Sequence, residues 1–267
     1  MPIIDSSSTE ARGLKGLHLY HFSMSNCSQK ARLCLDEKGL QWTSHPVDLL
    51  NNQHLTPEFV AINPKAVVPV LVHDGVVVTE SSDIIDYLDQ HFPKPPLRPS
   101  DPAELERMYR WLKLWDETQI SLKTLSHNTI LKGRAASVRT QMQKFETLVK
   151  NEELVEFMRE FTSEEGLSKG RVERATNWIE RMLGEINDRL SQHQWLAGDT
   201  FSLADLAWSI DIHRFELIKF PMDKYPAMLA WYRKIAARPS FQHMVLDYEA
   251  QFQKSHGAGE AAKSTPA

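Results

Sequence analysis

Cys27 is the residue in this chain whose type and setting best suit sulfur chemistry. It lies in Ser23-Met-Ser-Asn-Cys-Ser28, a cluster of small polar turn and cap residues. An alternating, aromatic-rich run, Leu17 to Phe22, precedes the cluster and predicts a strand. The run from Gln29 to Lys38 follows, with apolar residues at 31, 33, 34 and 35 and a stop at Gly39, which predicts a glycine-capped helix. A helix start offers free N–H groups and the positive end of the macrodipole. A thiol placed there, its own or a bound one, is expected to ionise more easily. A free thiol with a pKa of about 8.5 is only ~3% thiolate at pH 7. Lowering it by about 2 units, worth ~2.7 kcal/mol, makes it mostly thiolate. The same donors suit the sulfur of a small anionic thiol ligand, with Ser25 or Ser28 supplying a hydroxyl. The plain alternative is a small buried loop residue, and both readings stand.

The position three after Cys27 is Lys30, so a dithiol redox site is disfavoured. Cys34 lies seven residues on, about 10 Å along a helix, beyond the roughly 7 Å that a disulfide spans between Cα atoms. Any disulfide at Cys27 is therefore mixed, with a small thiol, and Cys34 reads as core. Two further spots suit a short, anionic peptide. Val67-Val68-Pro69 puts a proline directly before a strand, where a cis bond would expose the N–H and C=O of Val68 for pairing. Glu80-Ser81-Ser82 begins the helix after a hairpin, and its hydroxyls and N–H groups suit a carboxylate; a plain N-cap is the alternative. Eleven histidines are scattered without a metal-binding spacing, and no phosphate loop or Gly-x-Ser-x-Gly occurs.

The elements that position these spots read β-α-β-α-β-β-α. They include a strand over Gln41 to Val47 and a short helix begun by Thr56-Pro57. A hairpin follows in Pro69 to Thr79, turned at Asp74-Gly75, and then an amphipathic helix from Glu80 to His91. Five prolines between 93 and 102 mark a boundary. Beyond it the chain reads as helical, with a capping box at Ser202-Leu-Ala-Asp205. The expected organisation is a flexible leader over 1–15, an α/β thioredoxin-like domain over 16–92 and a linker over 93–102. An all-α domain over 103–252 and a disordered tail over 253–267 complete it. At 267 residues, 42% hydrophobic and 25% charged, two domains with a sizeable core fit comfortably. The longest apolar run, Ala66 to Val72, is far short of a membrane span, and a net charge of −4 with mixed signs argues against nucleic acid. Two cysteines without an export signal predict a reducing, cytoplasmic location.

Four segments in this order resemble the cytosolic glutathione S-transferase superfamily over roughly Leu17 to Tyr248. They are Ser25-Asn-Cys-Ser28, Asn63-Pro-Lys-Ala-Val-Val-Pro69, Glu80-Ser-Ser-Asp-Ile-Ile-Asp-Tyr-Leu88 and Phe201-Ser-Leu-Ala-Asp205. The Ser-x-Cys-Ser loop looks most like the zeta class and a bacterial branch that includes tetrachlorohydroquinone reductive dehalogenase. Met24-Ser-x-Cys-Ser-x-Lys30, Ala66-Val-Val-Pro69 and Ala236-x-Arg-x-Ser-Phe241 favour that branch, and lignin β-etherases are similar through the helix after the hairpin. The resemblance implies glutathione as co-substrate and a cis bond at Pro69, with the Val68 backbone gripping the cysteinyl unit. It places Glu80 and Ser81 on the γ-glutamyl end and Gln53 and His54 near the glycine carboxylate. Ser25 then orients the thiolate and Cys27 acts as a second, resolving sulfur. Tyr20 falls inside the first strand, too early for tyrosine-based activation.

These implications define an enzyme that activates the glutathione thiol for attack on a hydrophobic, aromatic electrophile, by substitution, ether cleavage or reductive dehalogenation. Trp111, Trp115 and Gln119 on the long helix are the expected acceptor pocket, and a homodimer is the expected assembly. The rivals are a cis–trans isomerase of the maleylacetoacetate type, a non-catalytic transferase-like binding module, and a monothiol deglutathionylating protein.

Overall fold

A computed structural model describes residues 3–149 and 151–261, with side chains as far as residue 255. The first half is a five-stranded sheet in the order β1-β5-β4-β2-β3. Its strands are β1 (Ile3–Ile4), β2 (Leu17–His21), β3 (Thr43–Pro46), β4 (Val70–His73) and β5 (Val76–Val78). Only the β2–β3 pair is parallel. Helices α1 (Thr9–Gly13), α2 (Asn26–Glu37), α3 (Pro57–Ile62) and α4 (Ser81–His91) complete this half. The second half is helical: α5 (Pro102–Asn128), α6 (Ala135–Arg139), α7 (Met142–Leu148), α8 (Glu152–Thr162), α9 (Lys169–Gln192), α10 (Leu203–Leu217), α11 (Pro226–Ala236), the short α12 (Pro239–Phe241) and α13 (Tyr248–Ala261). The expected α/β plus all-α architecture is present.

Two expectations about the ends are corrected. The leader is part of the sheet half, because Ile3 and Ile4 pair with Val78 and Val77. Ala11 of α1 is fully buried against Phe59, Val72 and Val77. The sequence hides this, since the polar run Asp5-Ser-Ser-Ser8 between the two elements reads as unstructured; its serines instead bond the Ala61 carbonyl and cap α1. At the other end α13 continues through Ala261, overlapping the segment for which composition predicts disorder. The packing of Tyr248, Glu249 and Phe252 starts the helix and propagation is cheap once a turn exists. Residues 262–267 lie outside the described ones.

The Asp74-Gly75 turn has positive φ at both residues, 49° and 84°, the twist-matched hairpin geometry. A side chain on Gly75 would collide with the Arg12 carbonyl. Gly75→Ala is therefore expected to cost about 1–2 kcal/mol from backbone strain alone and to undock the leader. Limited proteolysis checks this, with faster cleavage after Arg12 and Lys15 in the variant. An unchanged digestion pattern would count against the leader's place in the fold.

Helix α2 is buried on nearly all sides because it is sandwiched between the sheet and the helical half. Its apolar face (Ala31, Leu33, Cys34, Leu35) joins one core with Leu19, Ile84, Trp115, Leu206 and Phe215. Its polar residues Gln29, Lys30 and Arg32 are fully buried as well, facing α4, α5 and α13. At the far end Lys38 pairs with Asp89 at 2.6 Å, and Asp89 also accepts from Arg98 and the Leu97 N–H. That network ties α2 to α4 and to the segment entering the second half.

Candidate functional site

Ser25 is the N-cap of α2, with its hydroxyl oxygen accepting the Ser28 N–H at 3.3 Å. Ser28 is fully buried and accepts the Phe22 N–H, so it shapes the strand-to-helix turn and does not face a ligand. Of the two hydroxyls the sequence offers a sulfur, Ser25 is the half-exposed one, and its O–H is left free to donate. The loop is fastened from behind. Arg32 donates to the Phe22, Ser23 and Met244 carbonyls and to His21 Nδ1. Since guanidinium only donates, His21 is neutral with its proton on Nε2, donated to Ser44; burial and Arg32 push its pKa down to about 3. From α10, Asp211 accepts from Asn26 at 3.2 Å and Arg214 donates to the Met24 carbonyl.

Cys27 sits in the first turn of α2, as expected, but its own thiol does not ionise more easily there. Burial pushes it up, and Asp211 adds to the rise. The Lys30 ammonium, the facing Ser81 hydroxyl and Lys123 pull the other way without reversing it. The correction is physical: a helix end favours negative charge only where water or donors replace lost hydration. Cys34 is fully buried in the core, its pKa also raised by burial.

The two segments expected to meet a peptide have defined backbone geometry. The Val68–Pro69 bond is cis. Asn63, fully buried, donates to the Val67 carbonyl and accepts the Lys65 N–H, closing the turn ahead of it. Glu80 caps α4 at φ 62°, ψ 116°, a sparsely populated conformation that persists only where its surroundings impose it; its carboxylate receives Lys65 at 2.6 Å. Ser81, at the first position of α4, is buried and faces Cys27. Gln53 and His54 form a single 3-10 turn with Leu55 before α3. Gln53 accepts the Asp48 N–H, and His54 is half-buried with Nδ1 unpaired among the described residues. Burial, with Lys144 nearby, lowers its pKa to about 4. No hydrogen bond among the described residues joins Gln53 or His54 to Ser25 or Cys27. Behind that turn, Val149, Phe145 and Leu148 of the helical half pack on Leu55 and Ala66.

The three residues expected to line an acceptor pocket point in different directions. Trp111 is core: its indole donates to the Leu196 carbonyl and its ring meets Trp208 edge-on, because it points between α9 and α10. Trp115 and Gln119 turn toward the sulfur loop. Trp115 lies under Lys30, whose ammonium is 3.2 Å from the ring centroid, and Gln119 donates to Asp211 at 2.9 Å. The residues that sequence reading misses are Lys30, Lys123, Asp211 and Arg214. Their signal is faint but present: Cys27 and Lys30 are three apart on α2, and 115, 119, 123 and 127 repeat every four on α5. Burial raises Asp211 to about 7 and lowers Lys30 to about 8.

Two cavities lie away from the Ser25 turn, one of them touching Gln53. One of about 550 Å³ opens between α1, β3 and α3, lined by Tyr20, His45, Gln53 and Phe59 among others; one of about 300 Å³ adjoins His127, Arg139 and Phe161. Among the described residues no group of His, Cys, Asp and Glu could hold a metal ion, and no helix is long and apolar enough to cross a membrane.

Known proteins match this arrangement over both halves. Residues 19–96 match the family model for the glutathione S-transferase N-terminal domain and residues 169–234 that for its C-terminal domain. Tetrachloro-p-hydroquinone reductive dehalogenase of Sphingobium chlorophenolicum is 28% identical over 233 residues, covering 84% of this chain and 93% of that protein. A zeta-class glutathione S-transferase of Euphorbia esula is 26% identical, covering 90% and 95%. Protein LigF of a Sphingobium species is 30% identical, covering 85% and 92%. The crystal structure of LigF, described as a β-etherase, superposes with a TM-score of 0.77 at 28% identity, covering 85% of this chain and 98% of LigF. With a capped sulfur loop, a cis proline before β4 and both halves matched at nearly full length, the chain belongs to the glutathione S-transferase family.

Proposed function

We propose that the chain binds glutathione along the edge formed by Val68, Glu80 and Ser81 and directs its thiolate onto a hydrophobic, aromatic electrophile. The observation that carries this reading is Ser25, a half-exposed hydroxyl capping α2 whose oxygen is already engaged by a backbone N–H. That engagement leaves the O–H to donate to a bound thiolate, in a turn that also offers Ser81 and Cys27. The Val68 backbone pairs with the cysteinyl unit, Glu80 and Ser81 hold the γ-glutamyl end, and Gln53 and His54 meet the glycine carboxylate. The family reading carries with it a cytoplasmic homodimer.

Three reactions share the activated thiolate: aromatic substitution, ether cleavage and reductive dehalogenation. In the reductive case Cys27 completes the cycle. Its thiolate attacks the sulfur of an S-aryl adduct, and the S–C bond breaks with its electron pair leaving on carbon, which takes up a proton. A second glutathione then reduces the Cys27 mixed disulfide, releasing glutathione disulfide and restoring the thiol. Names of relatives in dehalogenase, etherase and zeta classes support this range.

Calorimetric titration with glutathione is the direct test. One saturable site is expected, weakened about tenfold or more by Ser81→Ala, since a hydrogen bond to a charged group is worth about 1.5–3 kcal/mol. Absence of binding heat in the wild type would sink the reading. A screen of haloaromatics, aryl ethers and maleyl compounds then separates the reactions. Turnover of a maleyl compound without net glutathione consumption favours the isomerase, and binding without turnover the non-catalytic module.

A further inference from the structure

Lys30 is fully buried, yet among the described residues it is in no ion pair. Its ammonium donates to the Ser82 hydroxyl at 2.7 Å and rests on the Trp115 ring. Ser82 in turn donates to Asp116 Oδ1 at 2.7 Å, so the cation is held from both sides by a hydroxyl and a π-face and not by a carboxylate. Burying an ammonium without a contacting counter-ion is costly. A cation–π contact and a hydrogen bond from the charged donor offset part of that cost. Such a site makes sense when an anion is formed beside it during function. The neighbour at i−3 on the same helix face is Cys27, with Cβ atoms about 5–6 Å apart at that spacing, and the lysine and the sulfur act electrostatically on each other.

We propose that Lys30, held by Ser82 and Trp115, is the counter-cation of a thiolate formed at Cys27. The inference rests on the reading that Cys27 acts as a resolving sulfur, though not on the identity of the electrophile. The proton count is simple. Cys27–SH loses its proton to water, Lys30 stays an ammonium throughout, and the buried pair becomes neutral overall. Before ionisation Lys30 has no anion in contact with it among the described residues, only carboxylates acting at longer range; afterwards Cys27 supplies one.

The groups facing the pair from every side are accounted for. Lys123 and Asp116 face it from α5, Asp211 and Arg214 from α10, and Ser81 and Asp83 from α4. Asp211 works against the thiolate and supports the ammonium. It is itself shared between Asn26 and Gln119, so its charge is spent on fastening the loop. Lys123 and Arg214 work in the direction of Lys30 and set the background against which its share is read.

The test is the pH profile of Cys27 alkylation by iodoacetamide, followed by peptide mass. Cys34 is buried and Cys27→Ser supplies the blank. Lys30→Met exchanges a buried cation for an apolar chain of like length, a change that is often neutral or stabilising for folding. It is expected to move the Cys27 midpoint up by about 1 pH unit or more, a tenfold slower reaction at pH 7 with the high-pH plateau unchanged. Lys30→Arg keeps the charge and should recover most of that shift. Ser82→Ala, which releases the ammonium from its anchor, should give a smaller shift in the same direction. Superimposable wild-type and Lys30→Met profiles would overturn the assignment, as would equal shifts for Met and Arg. Glutathione titration of Lys30→Met keeps the two readings apart. Binding within twofold of wild type with a shifted profile supports both, whereas lost glutathione binding in the wild type removes the catalytic cycle and this inference with it.

Discussion

Ser25→Ala is expected to slow glutathione transfer by about 10²-fold or more in kcat, the usual cost of removing one aimed donor from a developing or bound anion. The variant removes two things at once. Its oxygen caps α2 through the Ser28 N–H, and an N-cap lost to alanine costs about 1 kcal/mol of stability. Its hydrogen is the proposed donor to the thiolate. Ser25→Asp separates these roles, because aspartate caps a helix as well as serine but, when ionised, only accepts hydrogen bonds. Ser25→Asp should therefore keep wild-type melting while losing activity as fully as alanine, and Ser25→Thr should keep a measurable fraction of both. Steady-state kinetics with a generic haloaromatic and thermal melts decide this. Full turnover in Ser25→Asp would remove Ser25 from the chemistry and leave it a cap.

Asp205→Ala should give the largest loss of stability in the chain. Asp205 is fully buried at the start of α10, where the capping box forms with Ser202. Its two oxygens accept four hydrogen bonds, from the Leu196 and Ser202 N–H groups, the Ser202 hydroxyl and the Trp231 indole. Burial nonetheless raises its pKa to about 6. Removing the carboxylate strands four donors in a dry core, so a loss of about 3–5 kcal/mol is expected. At roughly 2–4 °C per kcal/mol for a chain of this size, that is on the order of 10 °C in Tm. Circular dichroism melting checks it. A variant melting within about 2 °C of wild type would show that water or a neighbour replaces the carboxylate, and that the box is dispensable.

Much of the frame was legible because it depends on local rules. The Asp74-Gly75 turn, the Thr56 cap, the Ser202/Asp205 box and the alternation of β2 each follow from a few adjacent residues. The proposed site can be read in the sequence to the extent that its residues lie in continuous segments: Ser25, Cys27, Pro69, Glu80 and Ser81. What escaped depends on which way a helix is turned in three dimensions. Trp111 and Trp115 look equivalent in sequence, four apart on one helix, yet one donates to Leu196 in the core and the other supports Lys30. In the sequence Lys30 serves only to argue against a dithiol site, and its burial shows once α2 is seen to be covered on its outer face. The three helices α6, α7 and α8 lie in a charged stretch whose periodicity is weak, and the pairing of Ile3 and Ile4 needs partners as distant as Val78 and Val77.

The polar face of α2 also limits how this architecture can be recombined. Gln29 bonds Glu249, Arg32 bonds the Met244 carbonyl and lies on Tyr248, and Asn26 bonds Asp211, so the seam between the halves is a set of matched donors and acceptors as well as an oily surface. A chimera that grafts a foreign helical half onto this sheet inherits none of those matches. Exchange of acceptor specificity between relatives is then confined to substitutions within the existing helices, or to swaps in which positions 26, 29, 30 and 32 travel with the incoming segment.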